Sequence, residues 1–495
     1  MRRISHWIDG AVVEGTSGRT GPVFNPATGQ QQAEVDFASV EEVDRAVAVA
    51  RAAQPAWGAT ALSRRSEVMF HMRDLVEGNR KEIAALLTSE HGKVESDALG
   101  EVARGLENVE FACGIPNLLK GGYSEQASGG VDVWSIRQPV GVVAAITPFN
   151  FPAMVPLWML ANAIACGNAV ILKPSEKDPS ASLLLADLFR QAGLPDGVCN
   201  VVQGDKVAVD RLLTHPDVDA VSFVGSTPIA RYVYETGTAH GKRVQALGGA
   251  KNHMVVLPDA ELDLAADSAV SAAFGSSGER CMAVSVVVAV GGVADSLVGA
   301  IAERIPALRV GAGTDPSSDM GPLITAAHRD RVASYVGEGE TAGATVVVDG
   351  RAAPVPGDGF FLGMTLLDNV TPDMSVYTDE IFGPVLCVVR ADTYDEAVGL
   401  VNDSPYGNGC AIFTRDGGAA RRFQLDAECG MVGVNVPVPV PVAYHSFGGW
   451  KGSLFGDTHM YGPEGVHFYT RAKVVTARWP DPATSSIDLG FPRTR

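Results

Sequence analysis

Val140-Gly141-Val142-Val143-Ala144-Ala145-Ile146-Thr147-Pro148-Phe149-Asn150-Phe151-Pro152 opens a stretch, Pro139 to Leu172, that carries no charged residue. Its length invites a membrane reading, but Pro148, Asn150, Pro152, Pro156, Asn162, Gly167 and Asn168 suit an apolar bilayer helix badly. It reads better as a buried strand, a turn, a buried helix and a second strand. Strands buried on both faces belong to parallel sheets covered by helices.

The same grammar continues outward from this unit. Val140–Ile146, Ala169–Leu172, Val198–Val202 and Ala220–Val224 are short apolar runs bounded by Pro, Gly or charge. Between them lie the helix-like Pro156–Ala165, Ser180–Gln191 and Lys206–Thr214. Upstream, Val43, Ala46, Val47, Ala50 and Ala53 recur at helical spacing, as do Val68, Met72, Leu75 and Val76. A second set begins near position 250 with Met254–Leu257, the helix-like Asp263–Phe274 and Val284–Val290, followed by Val346–Val348 and Leu386–Val389. Repeated strand–helix–strand order predicts an α/β chain with two parallel sheets. Gly121-Gly122 and Gly129-Gly130 bracket a polar stretch before the strand-like Val131–Arg137, predicting a projecting hairpin. The tail after Trp479 reads as loop.

Composition sets the bounds. A chain of 495 residues exceeds one domain. With 46% hydrophobic and 19% charged residues it is too apolar for a disordered polymer. A formal charge of −18 disfavours nucleic acid and anionic membrane as partners. Seven cysteines with no CxxC pair or Cys/His ligand spacing argue against a disulfide framework or a metal site, and for a reducing compartment. The N-terminal residues lack the apolar run of a secretory signal, so a cytoplasmic location is expected.

Four places can carry chemistry. Cys281 follows the Gly/Ser-rich break Gly275-Ser276-Ser277-Gly278 and adjoins Arg280, so it reads as a thiol of lowered pKa and a nucleophile, or as a small buried hydrophobe. Asn150 ends a buried strand, where its amide either stabilises developing negative charge or caps the next helix. Lys173 and Glu176 end another strand, as a ribose or phosphate site or as a solvated pair. Val224-Gly225-Ser226-Thr227 leads into a helix whose free N–H groups suit a pyrophosphate, although no G-x-G-x-x-G is present.

Together these segments are similar to the NAD(P)-dependent aldehyde dehydrogenase superfamily over nearly the full length. The matching marks are Phe24-Asn25-Pro26-Ala27-Thr28-Gly29, Thr147–Pro152, Lys173–Glu176, Phe223–Thr227, Gly278–Cys281 and Glu380-Ile381-Phe382-Gly383-Pro384, in the family's order and spacing. Within it the chain resembles the CoA-acylating methylmalonate-semialdehyde dehydrogenases, through Gly100–Phe111, Gly278–Ala283, Gly249–His253, Phe455–Asp457 and Val466–Arg471.

The resemblance implies an NAD-binding domain from 1–117 and 138–248, a catalytic domain from 249–455, and an oligomerisation arm and tail from 118–137 and 456–495. It also implies a homodimer or homotetramer. Cys281 would be the nucleophile and Asn150 the oxyanion donor, with Thr147, Phe149, Lys173, Glu176, Lys177, Ser226, Gly248, Glu380 and Phe382 binding NAD. Arg104 and Arg280 would grip a substrate carboxylate; each reads equally as an ordinary ion pair, with Glu101 or Glu107 and with Glu279.

Hydrolytic members carry a glutamate base in a Glu-Leu-Gly-Gly-Lys segment. Here Gln245-Ala246-Leu247-Gly248-Gly249-Ala250-Lys251 holds Ala246 or Leu247 at that position, neither able to take a proton. General-base assistance is worth roughly 10²–10⁴-fold, so its loss favours a thiol acceptor, CoA, over water. The expected reaction is oxidation of malonate or methylmalonate semialdehyde with decarboxylation to acetyl-CoA or propionyl-CoA. The subgroup's usual Asn-Met is replaced by Leu247-Gly248. A hydrolytic enzyme using Glu279 or Glu380, and a catalytically silent cofactor-binding relative, are the alternatives.

Overall fold

A computed structural model describes residues 1–479 and residue 483. The tail expected after Trp479 otherwise lies outside the described residues. Two parallel sheets dominate. In the first, the spatial order is Leu454–Phe455, Arg243–Leu247, Ala220–Val224, Val142–Ile146, Ala169–Lys173, Cys199–Val201, His6–Ile8 and Ala11–Val13. The five central strands are parallel, and chain order reverses between Val142–Ile146 and Ala220–Val224. Such a reversal opens a crevice at the carboxyl ends of the strands, where α/β sheets hold ligands.

The uncharged stretch forms the centre of this sheet. Val142–Ile146 and Ala169–Lys173 are buried at every position, and so is the intervening helix Met154–Ala165. A helix buried on all sides needs no polar stripe, which is why its sequence shows no amphipathic period. Its free N-terminal amides are satisfied from elsewhere: Glu101 Oε1 accepts from Ala153 N at 2.8 Å and Met154 N at 3.1 Å.

The second sheet runs Thr345–Val348, Thr365–Asp368, Val385–Ala391, Val284–Val290, Asn252–Val256, Gly409–Phe413 and Met431–Val434. Only its Thr345–Val348 edge is antiparallel. Four residues separate the last residue of one central strand, Leu247, from the first of the next sheet, Asn252. Leu454–Phe455 pairs antiparallel with Ala246–Leu247, so this piece of the 249–455 segment adds to the first sheet. The expected hairpin is Tyr123–Ser128 and Val131–Pro139, and Thr470–Arg478 pairs along its second strand to make an exposed three-stranded sheet. Among the described residues no helix is long and apolar enough to cross a membrane.

Candidate active site

The crevice predicted by the strand reversal is a cleft of about 640 Å³. Thr147, Phe149, Asn150, Lys173, Glu176, Lys177, Ser226, Gly248, Cys281, Glu380 and Phe382 all line it, so eleven positions scattered over the sequence meet at one place. The first sheet supplies strand ends: Thr147–Asn150 after Val142–Ile146, Lys173 at the end of its own strand, and Gly225-Ser226 after Ala220–Val224.

Helix Thr227–Ala239 starts in the cleft. Its N-cap, Ser226, makes no side-chain capping bond, which leaves the first amides and the positive end of the helix dipole for an anion. Lys173 Nζ lies 3.4 Å from Glu176 Oε2, giving a cation and an acceptor at the neighbouring strand end. A dinucleotide fits this set, which offers free helix amides to a pyrophosphate, a cation and an acceptor to a ribose, and an aromatic end. At that end Phe149 and Phe382 meet edge to face at 5.8 Å, and Lys177 Nζ stands 4.6 Å above the Phe149 ring. Phe382 holds φ +60°, a conformation rare for a bulky residue, with its carbonyl bonded to His328 Nε2 at 2.7 Å.

The turn bearing Asn150 is fixed by a buried ion pair. Lys93 Nζ donates to the Asn150 carbonyl at 2.8 Å and to Glu101 Oε2 at 2.6 Å, while Glu101 caps the helix that follows. The helix is capped by Glu101, and the Asn150 side chain lines the cleft instead.

Cys281 reaches the cleft from the side of the second sheet. Ser276 and Ser277 both adopt left-handed backbone, at φ +52° and +55°, so the chain turns sharply out of helix Leu262–Phe274. Ser277 Oγ secures the turn by donating to the Gly321 carbonyl at 2.7 Å. The expected lowering of the thiol pKa is corrected: burial pushes Cys281 up to about 12, and the Glu380 carboxyl adds to this, outweighing Arg280 and the backbone amides.

Arg280 is spent elsewhere, bonding Asp97 Oδ1 at 2.5 Å rather than Glu279. Arg104 is also engaged, with Glu107 at 2.9 Å and with the Val440 and Pro441 carbonyls at 3.0 and 3.3 Å. Neither arginine lines the main cleft. Asp97 and Arg104 share a face of helix Glu95–Cys113, and Tyr461, whose hydroxyl bonds Pro441, feels the charge of both Arg104 and Cys281.

Of the two carboxyls considered as bases, Glu279 faces away. It is fully buried, accepts from Ile324 N at 3.2 Å, and stands 3.7 Å from His91 and 3.6 Å from His328. Burial raises it to about 8. Glu380 is the carboxyl that perturbs Cys281, and burial raises it to about 7. Ala246 and Leu247 end a buried strand and offer no base. His328, Arg331, Asp379 and Tyr406 also line the cleft and were missed by sequence reading. They come from loops and helix faces without a local signature. Among the described residues no His/Cys/Asp/Glu cluster could hold a metal.

The aldehyde dehydrogenase family model matches residues 12–475. A malonate-semialdehyde dehydrogenase of Pseudomonas aeruginosa is 58% identical, covering 99% of this chain and 100% of that protein. Malonate-semialdehyde dehydrogenase 1 of Geobacillus thermodenitrificans is 50% identical over 97% of this chain and 99% of its own length. The crystal structure of methylmalonate-semialdehyde dehydrogenase from Oceanimonas doudoroffii superposes with a TM-score of 0.96 at 56% identity, covering 98% of this chain and 99% of that one. A Sinorhizobium meliloti relative, crystallised in complex with NAD, gives 0.96 at 54% identity with the same coverage.

Proposed function

The chain belongs to the aldehyde dehydrogenase family, and from that premise we propose that it oxidises malonate or methylmalonate semialdehyde with NAD and passes the acyl group to CoA. One observation carries this reading: Cys281 and Asn150 share a dinucleotide-sized cleft whose Gln245–Lys251 wall bears no proton-accepting side chain near the thiol.

The Cys281 thiolate adds to the aldehyde carbon, and the carbonyl oxygen becomes an oxyanion. The Asn150 amide and the Cys281 backbone N–H hold that charge. Lys173, Glu176, Lys177, Ser226, Gly248, Glu380 and Phe382, with Thr147 and Phe149, would hold NAD, which would supply the hydride acceptor. Loss of hydride from the adduct restores the C=O bond as a thioester on Cys281. The substrate carboxylate then leaves as CO₂, and its electron pair enters the thioester carbonyl as an enolate that is protonated on carbon. Attack by the CoA thiolate expels the Cys281 thiolate and gives acetyl-CoA or propionyl-CoA.

The substrate carboxylate enters between Arg104 and Arg280, taking the place of their present partners Glu107 and Asp97. One methyl separates the two substrates, a difference worth ~1–3 kcal/mol in a pocket. The 118–137 hairpin with Thr470–Arg478 serves as the contact between subunits of a dimer or tetramer. The reading is tested by product analysis: NADH, CO₂ and acyl-CoA forming in equal amounts from either semialdehyde support it. Free malonate or methylmalonate as the product overturns it. Full turnover by Cys281→Ala removes the nucleophile assignment.

A further inference from the structure

Cys281 is followed by two residues, Met282 and Ala283, before strand Val284–Val290 begins. That strand pairs with Asn252–Val256, and the register slips at Asn252, where regular backbone pairing stops. The Asn252 side chain continues the pairing in its place. Its Nδ2 donates to the Cys281 carbonyl at 2.9 Å and to the Ala283 carbonyl at 3.0 Å, while its Oδ1 accepts from Gly409 N at 3.1 Å. From just before the other flanking strand, Gly409–Phe413, Asn408 Nδ2 donates to the same Cys281 carbonyl at 3.0 Å and touches Met282 Sδ at 3.0 Å. Both asparagines are buried, so these bonds are made where water does not compete.

The Cys281 carbonyl and the Met282 N–H belong to one planar peptide unit, in which a trans bond points them in opposite directions. Two amides that pin the carbonyl therefore fix the opposite direction of the N–H, and it is the Met282 N–H that acts on the Cys281 thiol.

We propose that Asn252 and Asn408 are positioning residues, holding the Cys281–Met282 peptide so that its N–H is aimed at the nucleophilic sulfur. This rests on the reading of Cys281 as nucleophile. The backbone amides of Cys281 and Met282 both favour the thiolate, against the burial that opposes it. With Arg280 committed to Asp97 and the Glu380 carboxyl opposing the thiolate, the sulfur depends on such dipoles to react at neutral pH.

The test uses the full-length chain and iodoacetamide, with the Cys281 adduct followed by mass spectrometry across the range in which a thiol titrates. Asn408→Leu keeps the shape and removes the donor. The expected result is an upward shift of the pH profile for alkylation and a rate at neutral pH lower by about tenfold, with kcat falling and KM for NAD little changed. Melting temperature and NAD affinity establish that the variant is folded. Asn408→Ser, too short to reach the carbonyl, gives the same readout if the leucine does not fold. An unmoved pH profile with a lowered melting temperature overturns the inference and leaves a purely structural role. Inactivity of Cys281→Ala alongside that result keeps the nucleophile, so the two claims fail separately.

Discussion

The Glu380 carboxyl accepts a 2.9 Å hydrogen bond from the N–H of Ala250. The segment in which hydrolytic relatives would carry their base is here a backbone platform for a carboxyl from the other side of the cleft. Lys251 reinforces it from below, donating to the Val376 and Asp379 carbonyls at 2.8 and 2.7 Å and so fixing the loop that delivers Glu380.

Gly249 is the part of that platform with no tolerance. A Cβ there would stand 2.1 Å from Glu380 Oε2. Gly249→Ala should push Glu380 into the cleft, raising KM for NAD severalfold while the melting temperature changes little. An unchanged KM would show that Glu380 does not meet the cofactor.

The buried pair beneath Asn150 predicts a large stability effect. Lys93→Met leaves Glu101 buried without its cation, and Glu101→Gln strands Lys93, each costing about 3–5 kcal/mol. The double variant should cost less than the sum of the two, as measured by denaturant unfolding. Strict additivity would mean the pair does not act as a unit.

Stability should also depend on pH through Glu279. Its folded pKa, about 8, lies above the ordinary glutamate value of 4.5, so the folded chain holds a proton that the unfolded chain has lost. Its contribution is present below the ordinary value and is lost as pH rises through about 8. Glu279→Gln, which can still accept from Ile324 N, should flatten that decline, raising the melting temperature at alkaline pH more than at acid pH. Parallel curves for the two proteins would contradict this.

Glu176 bears on cofactor choice. A carboxylate beside the adenine ribose repels a 2′-phosphate, so Glu176→Gln should raise kcat/KM for NADP by about tenfold, or ~1.4 kcal/mol. An unaltered NAD-to-NADP ratio would remove Glu176 from the ribose site.

The sheets were legible because each central strand is a short apolar run between punctuating residues. Ser180–Gln191 and Lys206–Thr214 appear with the limits their patterns predict. Strands Arg243–Leu247, Gly409–Phe413 and Met431–Val434 were missed, being short and mixed with glycine or polar residues. Residues on the turns after strands were readable as a site because strand ends converge at the sheet's reversal. What the sequence could not show are contacts between distant positions. Lys93 meets Asn150 across 57 residues, Asn408 meets Cys281 across 127, and Arg280 pairs with Asp97 across 183 rather than with its neighbour. The thiol's raised pKa was hidden for the same reason, since burial is set by packing and the adjacent arginine is only a local clue.

The central claim is that the acyl group on Cys281 waits for a thiol, because Ala246 and Leu247 offer no base to activate water and Glu380 is held on the Ala250 amide. Rapid-mixing measurement of NADH from malonate semialdehyde tests it most directly. Without CoA, the predicted trace is a burst of about one NADH per Cys281 followed by a steady rate at least ~10²-fold below that with CoA. Equal steady rates with and without CoA would contradict it.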